Sequence, residues 1–290
     1  MNGPLEKWNL IVDVAECHNC HNCVVAAKDE LVGNDVPGYS APHPAQGPGV
    51  IRIERHVRGS GHHLDTAYLP RLCQHCDDAP CVTAGRGAVK KRADGIVLFD
   101  PEACRGRRDL VDACPHGAVV WNEERQLPQT WFFDAHLLDA GWAEPRCVTV
   151  CPTRALQAVK LDDAAMAQRA LAEGLRTLQP GVDTRPRVYY RHLARTDTVF
   201  VAGSLVDGAT GDCLADADVA LLRGGVALAQ ARSDVFGDFR LDGLAPDTGA
   251  CLLRVRLAGE RAFERPLHLG RHSVVLDDID VPVISGLPPL

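Results

Sequence analysis

Apolar residues in the first 160 positions gather in short runs. Leu10–Val14, Gly95–Phe99, Ala118–Asn122 and Ala155–Lys160 each read as a strand, and each flanks a group of cysteines. Between the first two groups, Val32–Val50 is rich in glycine and proline and has no periodicity. It predicts an extended surface loop or an arm wrapping a partner. From Asp162 to Leu178 the period becomes helical: Met166, Ala170, Leu171, Leu175 and Leu178 recur behind a capping Asp162 or Asp163, and Pro180-Gly181 stops the helix. After Thr198 the pattern changes again, to seven short alternating runs: Thr198–Leu205, Ala217–Leu222, Ala227–Ser233, Phe239–Leu241, Leu252–Leu257, Phe263–Leu269 and Val274–Ile279. Asp207-Gly208, Gly224-Gly225, Phe236-Gly237-Asp238 and Pro246-Asp247 punctuate them, so a small seven-stranded β-sandwich is expected. The fold class is therefore α+β, with a first domain over residues 1–195 and a second over 196–290.

A hydrophobic content of 46% and a charged content of 24% describe a globular chain. The net charge of −7 argues against a nucleic-acid partner, which demands a basic face. No stretch reaches the ~20 apolar residues of a membrane span. Met1–Leu10 has neither a basic-then-apolar pattern nor a twin-arginine pair, which leads to an expected cytoplasmic location. The cysteines change this picture. There are 12 in all, and only Cys213 and Cys251 lie beyond residue 152. Thiols spaced so closely suit metal better than disulfides, and the two late ones read as ordinary half-buried side chains.

The first group is Cys17-His-Asn-Cys20-His-Asn-Cys23. Bacterial ferredoxins extend this run to a fourth cysteine followed by proline, and that fourth thiol serves the other cluster. Here the fourth position is Ala27. The second group, Cys73, Cys76 and Cys81, likewise ends on Gly85. The third keeps Cys104 and Cys114-Pro115 but has Arg107 and Leu110 between them. The fourth keeps Cys147 and Cys151-Pro152, with Trp131 and Asp134 at the earlier positions. An iron–sulfur cube needs about four thiolates. Pairing outer group with outer and inner with inner gives two complete sets: Cys17, Cys20, Cys23 with Cys151, and Cys73, Cys76, Cys81 with Cys114. The expectation is two [4Fe-4S] clusters in a duplicated, bacterial-ferredoxin-like domain.

The remaining positions offer one thiolate apiece (Cys147 and Cys104), too few for a cube. Trp131, Phe132, Phe133 and Leu110 are suitable fillers of the vacated space, since protein interiors are close-packed. Arg107 reads either as a paired charge in its site or as part of a solvated loop. Zinc is the competing metal, but an unbroken three-cysteine run with a remote Cys-Pro is a poor zinc pattern. His18, His21 and His75 are expected to face solvent or to tune cluster polarity.

With these residues on the page, the chain resembles a known family. The four cysteine groups, the last reading His136-Leu-Leu-Asp-Ala-Gly141 and then Pro145-Arg-Cys-Val-Thr-Val-Cys-Pro-Thr153, resemble the four-cluster small subunits of the dimethyl-sulfoxide-reductase (molybdopterin) superfamily over residues 9–160. Val36-Pro-Gly-Tyr39, Asp94–Pro101, Trp121-Asn-Glu-Glu124, Pro186–Tyr190 and the C-terminal strands are similar to the small-subunit family of pyrogallol–phloroglucinol transhydroxylase and of resorcinol and dihydroxybenzoate hydroxylases.

The resemblance implies a non-catalytic, electron-transferring small subunit paired with a large catalytic one that alone carries the molybdenum bis-pterin cofactor. It also implies that the Cys17 set lies nearest that partner and the Cys73 set farthest, with the two lost sites in the middle. The family's small subunit lacks a cluster at the third group; Ala27, Trp131 and Asp134 remove a second one here. A wire without its middle relays conducts poorly, which suits a transhydroxylase better than a respiratory relay subunit. The respiratory relay is the alternative reading, and a structural or regulatory protein whose clusters sense oxidation is a third.

Overall fold

The computed structural model describes residues 5–179, 181–258 and 262–282. Two compact units divide it, Met1–Arg55 with Tyr68–Leu193, and His56–Ala67 with Ala194–Leu290. The tip of one hairpin, residues 56–67, thus belongs to the second unit although it lies early in the chain.

In the first unit, β1 (Lys7–Asp13) is covered on both faces, which explains why Leu10, Ile11 and Val12 form a continuous apolar run instead of alternating. The helix α1 (Asn22–Leu31) follows, burying Cys23, Ala26, Ala27 and Leu31. The hairpin of β2 (Arg52–Arg58) and β3 (Asp65–Arg71) has too many charges to read as strand. After it come α2 (Pro80–Gly85), the hairpin of β4 (Val89–Lys91) and β5 (Val97–Phe99), and α3 (Asp109–Asp112). The hairpin of β6 (Val120–Asn122) and β7 (Leu127–Gln129) leads to α4 (Ala135–Asp139) and α5 (Arg146–Thr149). Proline at the start of α2 is well placed, because its missing N–H has no helical partner there. β8 (Leu156–Leu161) returns antiparallel to β1. After α6 (Asp163–Ala172), β9 (Val188–Arg191) runs parallel to β1 on its other side.

Two expectations change here. Segment 32–50 is a surface loop, but not an extended one. Bridges Val32–His43 and Val36–Ser40 fold it on itself, and Asn122 Nδ2 and Gln129 Nε2 donate to the carbonyls of Pro42 (3.0 Å) and Ala41 (2.8 Å). The helix expected over Asp162–Leu178 ends at Ala172. Gly174 adopts φ 61° and donates to Leu171 O, while Leu175 N donates to Ala170 O at 2.8 Å, a Schellman closure that turns the chain out of the helix.

The second unit opens with α7 (Ala194–Asp197) and β10 (Val199–Asp207). Then follow β11 (Asp218–Arg223), β12 (Val226–Arg232), β13 (Asp238–Leu244), β14 (Gly249–Arg256), β15 (Phe263–Leu269), β16 (Val274–Val275) and β17 (Ile279–Val281). One sheet holds β13, β10 and β16, with β17 also on β10; the other runs β12–β11–β14–β15. Val201, Leu205, Val219, Leu221, Phe239, Leu253 and Ile279 share a single core. Eight strands are present among the described residues, not seven, because the last expected strand is broken in two. Its pairing with β10 shifts by one residue between Val201↔Val274 and Leu205↔Ile279. Gly203 allows that shift, since a Cβ there would lie 2.9 Å from Leu276 O.

The hairpin tip docks on this unit's own residues. Gly59 has φ 75°, and a Cβ would lie 2.4 Å from His63 O and 2.5 Å from Phe200 Cζ. Arg58 and Arg240 cover the Phe200 ring at 5.4 and 3.9 Å from its centroid. Asp65 accepts from Arg58 (2.6 Å), Arg195 (2.6 Å) and Arg240 (3.1 Å). Burial alone would raise the Asp65 carboxyl, but these three hydrogen bonds hold it well below the usual carboxylate range.

Candidate metal centre

Strand register brings the first thiol set together. Val12 of β1 faces Leu156 of β8; five residues beyond the one comes Cys17, and five before the other comes Cys151. The helices that follow are tied by charge. Arg146 of α5 pairs with Glu30 and with Asp29 (2.9 Å) of α1, and His136 Nε2 of α4 meets Glu30 Oε1 at 2.7 Å. Burial pushes the Cys23 thiol up to about 12, and neighbouring Cys17, Cys151 and Cys20 add to the rise. Cys17 is raised by burial, opposed by the backbone N–H of Asn19, and raised further by Cys151 and Cys20.

The second set is deeper. Burial carries Cys73 well above the ordinary thiol value, with Cys114, Cys81 and Cys76 reinforcing it. Burial and then Cys114 bring Cys81 to about 12. Cys76 is raised by burial, against a hydrogen bond from Thr184, and by Cys114. Asn19, His21 and His75 adopt left-handed backbone, with φ 58°, 61° and 45°, which curls each run around its thiols. His75 N and Ala118 N each donate to a sulfur, Cys73 Sγ and Cys114 Sγ, at 3.5 Å.

All twelve cysteines are free of disulfides. Among the described residues the only three ligand atoms lying within 4.8 Å of one another come from His62, His63 and Asp238, so neither thiol set closes on a single ion. Four thiolates at 2.3 Å from one tetrahedral zinc would stand about 3.8 Å apart. A four-iron cube spreads its thiolates more widely. The donor chemistry agrees: burial and neighbouring thiols oppose the ionisation of Cys17, Cys23, Cys73, Cys76 and Cys81, and a multi-iron cation relieves both. The residues present fit such a cluster and fit zinc poorly.

The structure also shows what fills the incomplete positions. At the third group, Cys104 and Leu110 are fully buried in one core with Cys76, Cys81, Val89 and Phe99. Gly85 leaves no room for a side chain, since a Cβ would lie 2.8 Å from Val89. Arg107 is half-exposed, bonded to Asp109 (2.7 Å) and Ala84 O (2.8 Å), so Leu110 is the filler and Arg107 is not. At the fourth group, Trp131 is fully buried between Phe133 (centroids 4.8 Å) and His75 (5.4 Å), and Phe133 continues to Trp8 (5.7 Å). Trp131 Nε1 donates to Asp134 Oδ1 at 3.2 Å, and Arg146 N donates to Asp134 Oδ2 at 2.9 Å. Burial raises the Asp134 carboxyl, and Cys147 lies close to it.

His18 and His21 are exposed, as expected, but His75 is buried. Its Nδ1 accepts from Val97 N at 3.1 Å, and burial drives its pKa well down, so the ring is neutral. Cys213 is exposed, and Cys251 belongs to the core of the second unit. Lys91 carries no signal in the sequence. Its Nζ donates to the carbonyls of His75 (2.7 Å) and Cys76 (3.0 Å) and pairs with Asp77 (3.0 Å), holding the second run in shape. Nothing in Val89-Lys-Lys91 marks an inward lysine. Glu30 and Arg146 are equally silent.

Residues 64–161 match the family described as a 4Fe-4S dicluster domain. The two thiol sets and this match define the class: an iron–sulfur subunit of the kind that serves larger oxidoreductases. Pyrogallol hydroxytransferase small subunit of Pelobacter acidigallici is 39% identical over 281 residues, 96% of this chain and 97% of its own. The chain belongs to that family of small iron–sulfur subunits. A tetrathionate reductase subunit of Salmonella typhimurium is 30% identical over 204 residues (69% of this chain, 76% of that protein), and the thiosulfate reductase electron transfer subunit of Salmonella typhi 32% over 166 (57% and 81%). No helix among the described residues is long and apolar enough to cross a membrane.

Proposed function

We propose that this chain is the electron-handling subunit of a molybdopterin-dependent hydroxylase or transhydroxylase acting on polyphenols. The molybdenum and organic chemistry belong to the large partner subunit. Cys17, Cys20, Cys23 and Cys151 would hold one [4Fe-4S] cluster, and Cys73, Cys76, Cys81 and Cys114 the other. Such clusters, when bound, accept and return single electrons. The chain's own residues position the thiols, donate N–H groups to Cys73 and Cys114, and shield Cys73, Cys76 and Cys81 from water.

What supports this reading is that Cys17, Cys20, Cys23 and Cys151 neighbour one another, as do Cys73, Cys76, Cys81 and Cys114, with packed protein at both other positions. Each complete set also follows the same plan: a three-cysteine run, a short helix (α1 or α2), and a Cys-Pro from the other half of the unit. That supports a duplicated ferredoxin-like arrangement for the first domain. The two sheets with a common core support a sandwich for the second. A cytoplasmic location belongs to the same proposal, on the strength of the clustered, unbridged thiols.

Anaerobic turnover of the purified complex, with and without an artificial electron acceptor, tests the reading. Acceptor-independent hydroxyl transfer between polyphenols is the expected result, and acceptor-dependent turnover points to the hydroxylase instead. Failure of polyphenols to react at all, with four clusters counted per chain, would replace the proposal with a respiratory relay.

A further inference from the structure

We propose that His62, His63 and Asp238 form a site for a divalent first-row transition cation of the zinc or cobalt class, separate from the cysteine sets and wholly within the second unit. His62 and His63 sit on the turn Gly61–His63 at the hairpin tip, with ring centroids 4.1 Å apart. Asp238 is the first residue of β13. One ligand atom from each lies within 4.8 Å of the other two. His63 Nε2 is closed off from solvent and has no hydrogen-bond partner, an arrangement that buried nitrogens rarely tolerate. Ser204 Oγ donates to Asp238 Oδ1 and fixes the carboxylate, the supporting contact that metal-binding carboxylates usually have.

Asp234 stands near His63 as a second carboxylate, its Oδ1 accepting from Phe236 N (2.9 Å) and Asp238 N (3.0 Å). The opposing charge, Arg240, is engaged by Asp242 (2.7 Å) and Asp65 (3.1 Å). Two imidazoles with one carboxylate suit zinc, cobalt, nickel or ferrous iron, whereas magnesium and calcium prefer all-oxygen sets. Three protein ligands leave one tetrahedral position for water. Ligand atoms about one such ion stand ~3.4 Å apart, so the site tightens on binding, and His62, exposed on a turn, is the side chain able to move. The ion would clasp the hairpin tip to β13.

The test is anaerobic calorimetric titration of the cluster-loaded chain, or of the intact complex, with Zn²⁺. Zinc and iron per chain are counted by elemental analysis after desalting. One zinc per chain with undiminished iron is expected. His62→Ala and Asp238→Asn should each weaken uptake more than about tenfold with iron unchanged. His62 is exposed, so its variant keeps the fold. Zinc uptake unaltered in His62→Ala, zinc retained only at the expense of iron, or no retained zinc would each overturn the proposal.

Discussion

Truncating Trp131 to alanine tests whether the vacated cluster position is a packed core. The side chain is fully buried, lies against Phe133 and His75, and supplies one of the two donors to Asp134. Removing a buried tryptophan costs about 3–5 kcal/mol through lost transfer energy and the cavity left behind. Stranding a buried carboxylate oxygen adds ~1–3 kcal/mol. The terms share a neighbourhood and do not simply add, so about 5 kcal/mol is the working value, comparable to the whole margin of a typical domain. Unfolding that releases iron is irreversible, so the observable is the rate at which cluster absorbance bleaches in fixed denaturant under anaerobic conditions. Every 1.4 kcal/mol that falls on the unfolding barrier speeds bleaching about tenfold, and Trp131→Ala should bleach at least two orders of magnitude faster than the parent. Trp131→Phe keeps one six-membered ring but loses the N–H and part of the indole volume, so its bleaching rate should fall between that of the parent and that of Trp131→Ala. A bleaching rate for Trp131→Ala within about threefold of the parent would refute the packed-core reasoning. Equal damage from both substitutions would locate the effect in the pyrrole ring and its N–H and not in the six-membered ring.

Adding thiols at Ala27, Trp131 and Asp134, to join resident Cys147, should raise iron from about eight to about twelve atoms per chain; an unchanged count would mean that these four positions do not converge. Cys104→Ser should keep both clusters by iron analysis and electron paramagnetic resonance, whereas Cys81→Ser should lose the second, because Cys104 packs beside that set but donates its thiol to Ala88 O (3.4 Å). Asp65→Asn should cost about 3 kcal/mol at neutral pH, since it breaks a buried ion pair with Arg58. The folded-state pKa of Asp65 is depressed, so its stabilisation is complete above the unfolded value near pH 4 and fades as pH falls towards the folded value. Denaturation curves for parent and variant should therefore converge under acid, and a constant gap would contradict the assignment.

Cysteine spacing marked the candidate site because ligation constrains residue type and separation together. Counting left two distant Cys-Pro pairs, the outer-with-outer choice assigned them, and the β1–β8 register brings Cys151 near Cys17. Local strands such as Leu10–Val14 were readable from their apolar runs. The charged β2–β3 hairpin was not, because its tip folds with residues about 130 positions away, such as Arg195 bonded to Asp65 and Thr66, which local pattern does not encode. The early stop of α6 turned on Gly174, whose left-handed turn outweighed the apolar spacing through Leu178. Lys91, Glu30 and Arg146 stayed hidden because a surface-type residue acquires an inward role only from tertiary surroundings.

Crossed ligation of the proposed kind would also set an order of synthesis. The inner group of thiols, ending at Cys114, is complete while Cys151 is still 37 residues from being added, an interval of about 2–7 s at ordinary ribosome speeds. Until then Cys17, Cys20 and Cys23 emerge as a triplet with no fourth partner, exposed to oxidants and stray metals. Maturation of the nascent chain would then be nested, inside first, with the outermost triplet waiting longest for its fourth thiol.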